Sequence, residues 1–358
     1  MPSPATTIDV DGFEIRVSNP DKVLFPAIGV TKMELVEYYL SVADAALIGC
    51  RDRPTIMHRF PNGVDGEPFY QKRVPTQRPP WVQTATIRFP SGRRAEMIAP
   101  ADAAHLAWMA NLACIDLNPW PVRRDDVDHP NELRVDLDPT PDVPWEDVRR
   151  ITLVVRDVLE EHGAVGFPAT SGKRGMHLVV PIVREHGFTM VRRAALALAR
   201  EVTRRAPGVA TAAWWKEERQ GVFVDYNQNA RDRTVASVYS VRPVPDARVA
   251  TPLSWDEVPD VDPSVFTIRT VPERLASIGD PGAGADPAER SRLDGLLELA
   301  ARDEAGGLGD APWPPHFPKG DSEPVRVNPS RARKVAEWEA SREASRRAKK
   351  GSGEKGPH

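Results

Sequence analysis

The sequence predicts a mixed α/β fold of the α+β kind, and three observations carry that prediction. Between residues 132 and 228, apolar strand-like runs alternate with two long amphipathic helical segments, the order expected when helices cover a sheet. Hydrophobic residues make up 41% of the 358 and charged residues 28%, which suffices for a packed core and excludes wholesale disorder. The 36 prolines divide the chain into many short elements joined by rigid loops.

Taken in order, the chain opens with a strand, FEIRV, and a proline-bounded turn, SNPDKVLFP. A helix begins near Thr31, where Thr31 followed by Glu34 is a capping-box pattern and Leu35, Tyr38, Tyr39 and Val42 form the apolar stripe. Residues 55–98 read mostly as strands, with FPNGVDG and PSGRR as turns. This part is basic: residues 51–94 hold nine Lys/Arg against three acidic side chains, although the whole chain is nearly balanced at −3. Residues 101–115 read as a buried helix, and LRVDLDP as a short strand stopped by Pro139. A helix from Trp145 to Glu161 leads to the loop TSGKRG and the strand MHLVVPIV. A helix from Met190 to Arg205 precedes the strand GVFVDYNQ, and a last amphipathic helix spans about Pro287 to Asp303. The remainder, 315–358, is Pro-, Ser- and charge-rich, with eight Lys/Arg and three Glu in 331–350. It is expected to be a basic, partly disordered tail.

No run of about 18 apolar residues occurs, and the N-terminus lacks a basic segment followed by an apolar one, so neither a membrane span nor a signal peptide is expected. These features predict a soluble, cytoplasmic protein. The only cysteines, Cys50 and Cys114, sit in apolar surroundings, too few for a disulfide framework and expected to be inert buried thiols.

Three constellations carry chemistry. Asp136 and Asp138 stand two apart in RVDLDP, and on a strand both project from the same face. Like charges that close favour a hard divalent cation with oxygen ligands, although acidic pairs before a proline turn are also common on surfaces. Asp225 ends the β-prone run GVFVD, where a carboxylate is costly to bury unpaired. Three strand-borne aspartates, two adjacent and one remote, suit a pair of ions for attack at phosphorus. In TSGKRGMHLVVP, Gly172 and Gly175 free the backbone to turn N–H groups inward as an anion nest, with Ser171, Lys173 and Arg174 adding a hydroxyl and two charges. His177 begins the next strand, within reach of a phosphate. The P-loop pattern G-x-x-x-x-G-K-[ST] is absent. The other histidines, including His58 and His186, lack metal-ligand spacing and are expected to be structural or exposed.

The ordered set DLDP, SGKRGMHLVVP and FVDYNQN resembles the signature of the archaeo-eukaryotic primase superfamily, and more narrowly that of the polymerase domain of bacterial DNA ligase D. The resemblance extends from SNPDKVLFP through GDAPWPPHFPK. It implies a primase-polymerase fold in residues 1–314, with a smaller N-terminal module over roughly 1–120 and an RRM-like catalytic core over roughly 121–314. It implies that Asp136, Asp138 and Asp225 hold two Mn²⁺ or Mg²⁺ ions and are catalytic. Ser171, Lys173, Arg174, His177, Gln228 and Arg242 of YSVRPV would bind the nucleoside triphosphate. Asn19, Lys22 and Lys32 correspond to residues gripping a recessed DNA 5′-phosphate, and Phe69 and Tyr70, with Arg59 and Lys72 near in sequence, to contacts with the template strand. Lysines hold phosphates and ring faces stack on bases without reading sequence. The chain departs from the family at Asn118 in DLNPW, where histidine is usual, at Gln228, where some relatives carry arginine, and by a shorter segment near Arg219.

The implied activity is DNA-dependent nucleotidyl transfer: a stand-alone polymerase that fills short gaps or extends ends in non-homologous end joining, often with ribonucleotides. No ligase or nuclease module is expected within this length, so joining would need a separate ligase and an end-bridging partner such as Ku. Two other readings of the residues stay open, a metal-dependent phosphodiesterase using the same aspartates and a non-catalytic DNA-end binding module.

Overall fold

The computed structural model describes residues 4–89, 91–287 and 289–314, so the tail expected over 315–358 lies outside the described residues. The chain begins with an antiparallel hairpin of β1 (Ala5–Val10) and β2 (Phe13–Ser18) and a second of β3 (Val23–Phe25) and β4 (Val30–Thr31). The first strand is missing from the sequence reading because ATTIDV exposes most of its side chains and so has no apolar alternation. Helices α1 (Lys32–Ser41) and α2 (Ala43–Cys50) follow. Thr31 closes its capping box both ways, its hydroxyl accepting from the Glu34 N–H and the Glu34 carboxylate accepting from the Thr31 N–H.

The basic part folds into an antiparallel sheet of β5 (Thr55–Arg59), β6 (Phe69–Gln71), β7 (Thr84–Arg88), β8 (Arg94–Ile98) and, after α3 (Ala103–Asn111), β9 (Cys114–Pro119). The helix expected over 101–115 therefore stops at Asn111. Ala113 takes a positive φ of 56°, and the Cys114–Pro119 run, buried throughout, pairs with β5 instead. A run buried on every side has no period to tell strand from helix.

The second half supplies the strand–helix–strand–strand–helix–strand order of a split βαβ unit: β10 (Glu132–Pro139), α4 (Trp145–Glu161), β11 (Phe167–Thr170), β12 (Met176–Pro181), α5 (Phe188–Arg205), then β13 (Ala210–Thr211) and β14 (Val222–Asp225). The sheet order is β11-β12-β10-β14-β13, so β10 lies at its centre, which is the RRM-like arrangement. Leu133, Val135 and Leu137 of β10 turn to one face and are buried, where α4 and α5 pack. Period-two alternation puts Arg134, Asp136 and Asp138 on the other face. The chain finishes with α6 (Val271–Ile278) and α7 (Asp294–Ala305). The last helix starts at Asp294, not near Pro287, because Ser291 pairs with the chain beside β12 before the helix begins. Among the described residues no helix is long and apolar enough to cross a membrane.

A buried ion cluster ties the first sheet to β10. Arg53, 1% exposed, donates to Glu132 and to Asn131 Oδ1 at 2.6 Å, while Arg134 donates to the other oxygen of Glu132 at 3.0 Å and to the Pro119 carbonyl at 2.6 Å. Burial pulls Arg53 down to about 9, although Glu132 opposes the shift. Cys50 and Cys114 are both fully buried and unpaired, and burial pushes the Cys50 thiol up to about 12.

Removing Glu132 leaves two guanidinium groups without their shared anion in the interior. Glu132→Ala should therefore lower unfolding stability by about 3–5 kcal/mol, read from urea denaturation; a change below about 1 kcal/mol would show that the cluster does not join the two sheets.

Candidate active site

The site is assembled by strand register. Asp136 of β10 lies opposite His177 of β12 on one side and opposite Asp225 of β14 on the other. Directly opposed residues share a face, so the remote carboxylate of the sequence is brought beside the pair that contains Asp136. Gln228 bridges the two: its Nε2 donates to Asp136 Oδ2 at 3.3 Å and to Asp225 Oδ2 at 3.0 Å. Asp138 is one step further along the same face and is exposed.

Among the described residues, no Lys or Arg forms an ion pair with any of the three. The arginine nearest in chemistry, Arg219, lays its guanidinium over the Phe223 ring at 3.5 Å and donates to the Ala213 and Trp214 carbonyls. The consequence is electrostatic. Burial first, then Asp225 and Asp138, push Asp136 up to about 8, and burial raises Asp225 as well. His177 Nε2 stands 3.5 Å from Asp136 Oδ1, but burial, Arg242 and Arg134 pull its pKa down to about 3, so it is neutral and does not offset the repulsion. Carboxylate oxygens on one face, two of them bridged by Gln228 and none paired with Lys or Arg among the described residues, are the donor type that hard divalent ions take, and these residues fit such ions.

The Ser171 loop joins β11 to β12 against this face. A Cβ on Gly175 would come within 2.1 Å of the Leu137 carbonyl, and one on Gly172, which has φ of 65°, within 2.5 Å of Arg242 Cγ, so both glycines allow close approach. The open nest expected from the sequence is not what forms. The N–H groups of Lys173 and Gly175 both donate to Ser171 Oγ, at 3.2 and 3.1 Å, because the hydroxyl lies inside the turn and satisfies them locally. Its own O–H remains to donate. Arg174 is turned to the Thr140 and Pro141 carbonyls at 3.2 and 2.5 Å, whereas Lys173 is exposed, its pKa lowered by desolvation and by Arg242.

Arg242 is held by Asp116 of β9, with Nη1 3.5 Å from Oδ1, a residue the sequence reading passed over. Burial would raise the Asp116 carboxyl, but Arg242 and His58 together hold it below the ordinary range. His58 Nδ1 lies 3.5 Å from the other Asp116 oxygen, and its ring stacks on Tyr70 at 4.0 Å and 11°. Only the adjacency of CIDLN to the departure at Asn118 could have drawn attention to Asp116. Asn118 itself is buried and donates to the Asp116 carbonyl at 3.2 Å.

Two further groups flank this region. Phe69 and Tyr70 on β6 are 44% and 62% exposed, not core residues. Arg59 lies 5.1 Å over Phe69 and donates to Gln71 Oε1 and to the Leu112 carbonyl; Lys72 lies 5.1 Å over Phe89 and pairs with Asp232 at 2.9 Å. In the other group, Asn19 adopts φ of 48°, which Asn tolerates, and directs the turn that carries Lys22. Lys32 is 6% exposed and donates to the Ser18 carbonyl at 2.5 Å, while Lys22 reaches Asn62 at 3.5 Å. Burial, Lys22 and Arg59 all lower Lys32, so this corner carries positive charge, and among the described residues neither lysine has a carboxylate partner. One acidic cluster proves to be separate: Glu185, His186 and Asp294 bring donor atoms within 4.8 Å of one another, so His186 does find metal-type neighbours, but Arg292 pairs with both carboxylates at 3.0 and 2.8 Å.

The family model described as "LigD, primase-polymerase domain" matches residues 31–282. The multifunctional non-homologous end joining DNA repair protein LigD of Mycobacterium tuberculosis (strain H37Rv) is 34% identical over 286 residues, covering 74% of this chain and 36% of that protein. The multifunctional non-homologous end joining protein LigD of Mycolicibacterium smegmatis is 31% identical over 328 residues, covering 90% and 42%. The chain thus spans less than half the length of these curated relatives. A solved structure, the polymerase domain from Mycobacterium tuberculosis ligase D in complex with DNA, superposes with a TM-score of 0.70 at 32% identity, covering 74% of this chain and 96% of that one.

The raised Asp136 has a sign that can be checked. A carboxyl whose pKa is higher folded than unfolded contributes stability below the ordinary carboxylate range and loses it as pH rises to about 8. With chelator present, the melting temperature should fall between pH 5 and pH 8. Asp136→Asn should flatten that fall and stabilise the metal-free protein at pH 8 by at least about 1 kcal/mol. Parallel pH profiles for the two proteins would show that Asp136 is ionised throughout.

Proposed function

The chain belongs to the LigD primase-polymerase domain family, a family of nucleotidyltransferases, and from that premise we propose that it extends a DNA primer opposite a template across short gaps or at broken ends during end-joining repair. The observation that carries this reading is the register that sets Asp225 opposite Asp136, beside the Ser171 loop. On this reading residues 1–314 are the polymerase unit, with an N-terminal module to about 120 and a catalytic core after it, and the protein works in the cytoplasm at the nucleoid.

In the proposed reaction a primer 3′-hydroxyl attacks the α-phosphate of a nucleoside triphosphate and pyrophosphate leaves. Two divalent cations, Mn²⁺ or Mg²⁺, would lower the pKa of the hydroxyl and neutralise the phosphates. Asp136, Asp138 and Asp225 would hold them. The Ser171 hydroxyl, free to donate, with Lys173 and Arg242, would bind the triphosphate and oppose the charge that develops on departure. Arg174 would join them only by leaving the Thr140 and Pro141 carbonyls. His177, being neutral, would donate a hydrogen bond instead of a charge, and Gln228 orients both carboxylates. Arg219 sits where its positive field reaches all three aspartates and is a further candidate for the phosphates.

Asn19, Lys22 and Lys32 would take the recessed 5′-phosphate, since two close lysines without a carboxylate partner favour an anion. Phe69 and Tyr70, exposed rings beside Arg59 and Lys72, would stack on template bases. Preference for ribonucleotides, and cooperation with Ku and a separate ligase, complete the proposal. The convergence of carboxylates and a phosphate-type loop favours this reading over a DNA-end binder without turnover, and a primer that shortens in Mn²⁺ would instead mark a phosphodiesterase.

A gapped duplex bearing a 5′-phosphate, incubated with Mn²⁺ and either ribo- or deoxyribonucleotides, should show primer extension. Asp136→Ala and Asp225→Ala should abolish it with DNA affinity nearly unchanged; persistent extension would reject the mechanism. Lys22→Ala should weaken binding to the phosphorylated gap alone and lower its salt slope by about one, whereas equal weakening on unphosphorylated DNA would reject the pocket.

A further inference from the structure

An arginine on an amphipathic helix is ordinarily solvated, yet Arg192 of α5 is 1% exposed. It makes four hydrogen bonds: Nε to Asn227 Oδ1 at 2.6 Å, Nη1 to Asp310 Oδ1 at 2.8 Å, and Nη2 to the carbonyls of Ala311 at 2.9 Å and Pro312 at 3.1 Å. Its guanidinium also lies 4.1 Å from the Trp313 ring and 5.2 Å from that of Tyr226. Residues 309–313 thus form a strap across α5, fastened to the helix by Arg200 donating to the Gly309 carbonyl at 2.6 Å and braced within itself by the Trp313 indole donating to Asp310 at 2.7 Å.

The connection to the site runs through the 3-10 turn Tyr226–Asn229. Asn227 receives Arg192, donates from Nδ2 to the Pro312 carbonyl at 3.3 Å, and donates its backbone N–H to Asp225 Oδ1 at 2.9 Å. At the other end of the turn, Asn229 exchanges two hydrogen bonds with the backbone of Arg134, at 2.8 and 2.7 Å. Gln228, between these anchors, spans the two carboxylates. Such holding is physically required. Asp136 and Asp225 repel each other, and a loose turn would let Asp225 swing away.

We propose that Arg192 is a positioning residue for the cation site: with the Gly309–Trp313 strap it fixes Asn227, and through Asn227 the direction in which the Asp225 carboxylate faces Asp136. This rests on the reading of Asp225 as a cation ligand. Supporting partners of metal ligands change affinity by about 10–100-fold when removed, and the effect is expected on metal binding instead of the chemical step.

The experiment measures free Mn²⁺ by electron paramagnetic resonance with the full chain and with Arg192→Lys, Asn227→Ala, Trp313→Phe and, as a control, Asp225→Asn. Arg192→Lys and Asn227→Ala should raise the Mn²⁺ dissociation constant about tenfold or more. The half-saturating Mn²⁺ for primer extension should rise in parallel, while the rate at saturating Mn²⁺ and the affinity for gapped DNA change little. A residue that only supports the fold would lower the melting temperature and leave the dissociation constant of the folded protein where it was, and that result overturns the proposal. Should Arg192→Lys not fold, Trp313→Phe, which keeps the ring and loses the indole N–H, decides by the same measurement. If Asp225→Asn binds Mn²⁺ as the unmodified chain does, the cation reading itself fails and this inference falls with it.

Discussion

Like-charge opposition across the centre of a sheet is the constraint on which this molecule is organised. The register that makes β10 the central strand also places Asp136 opposite Asp225, and no Lys or Arg among the described residues pairs with either. Such an arrangement opposes folding, and it is held because the other face of β10 is committed to the helices. Leu133, Val135 and Leu137 are buried beneath α4 and α5, and a slip of one residue would turn all three to water. The apolar face therefore determines where the carboxylates point.

Three arginines near the site are restrained from collapsing onto the aspartates. Arg219 lies on an aromatic ring and two carbonyls, Arg242 faces Asp116, and Arg174 faces the carbonyls after Pro139. Positive charge is thereby kept close while the carboxylate oxygens stay open. Asp116 has a second consequence. It lies on the first sheet, and with His58 and Tyr70 it forms a continuous packed path from an exposed ring to the arginine that touches Gly172. The first sheet thus carries two buried charged groups, one that joins it to β10 through Glu132 and one around Asp116, the second of them lying between the exposed aromatic strand and Arg242 beside the Ser171 loop.

Much of this was legible in the chain. D-x-D on a strand and an aspartate ending an apolar run are patterns of period two, and period two determines a shared face. The helices Trp145–Glu161 and Phe188–Arg205 carry a clear 3.6-residue stripe and emerge near their expected ends. What was not legible depends on contacts distant in sequence. Whether N–H groups in TSGKRG face outward depends on where one hydroxyl settles. Arg192 reads as a solvated helical charge until residues 309–313 return across it. Asp116 hides in a run that is buried throughout, where helix and strand give the same apolar text, and Lys22 and Lys32 become neighbours through the β3–β4 hairpin, where the Lys32 N–H donates to the Lys22 carbonyl.

The two buried thiols have a practical meaning. Cys50 and Cys114 lie in the interior of the first half, with no exposed sulfur, and Cys50 stays protonated at neutral pH. Thiolate is the reactive form, so neither cysteine should respond to alkylating reagents or mild oxidants until the surrounding core opens. Each sulfur is in effect an internal clock, its labelling rate reporting how often that part of the protein breathes, without any engineered probe.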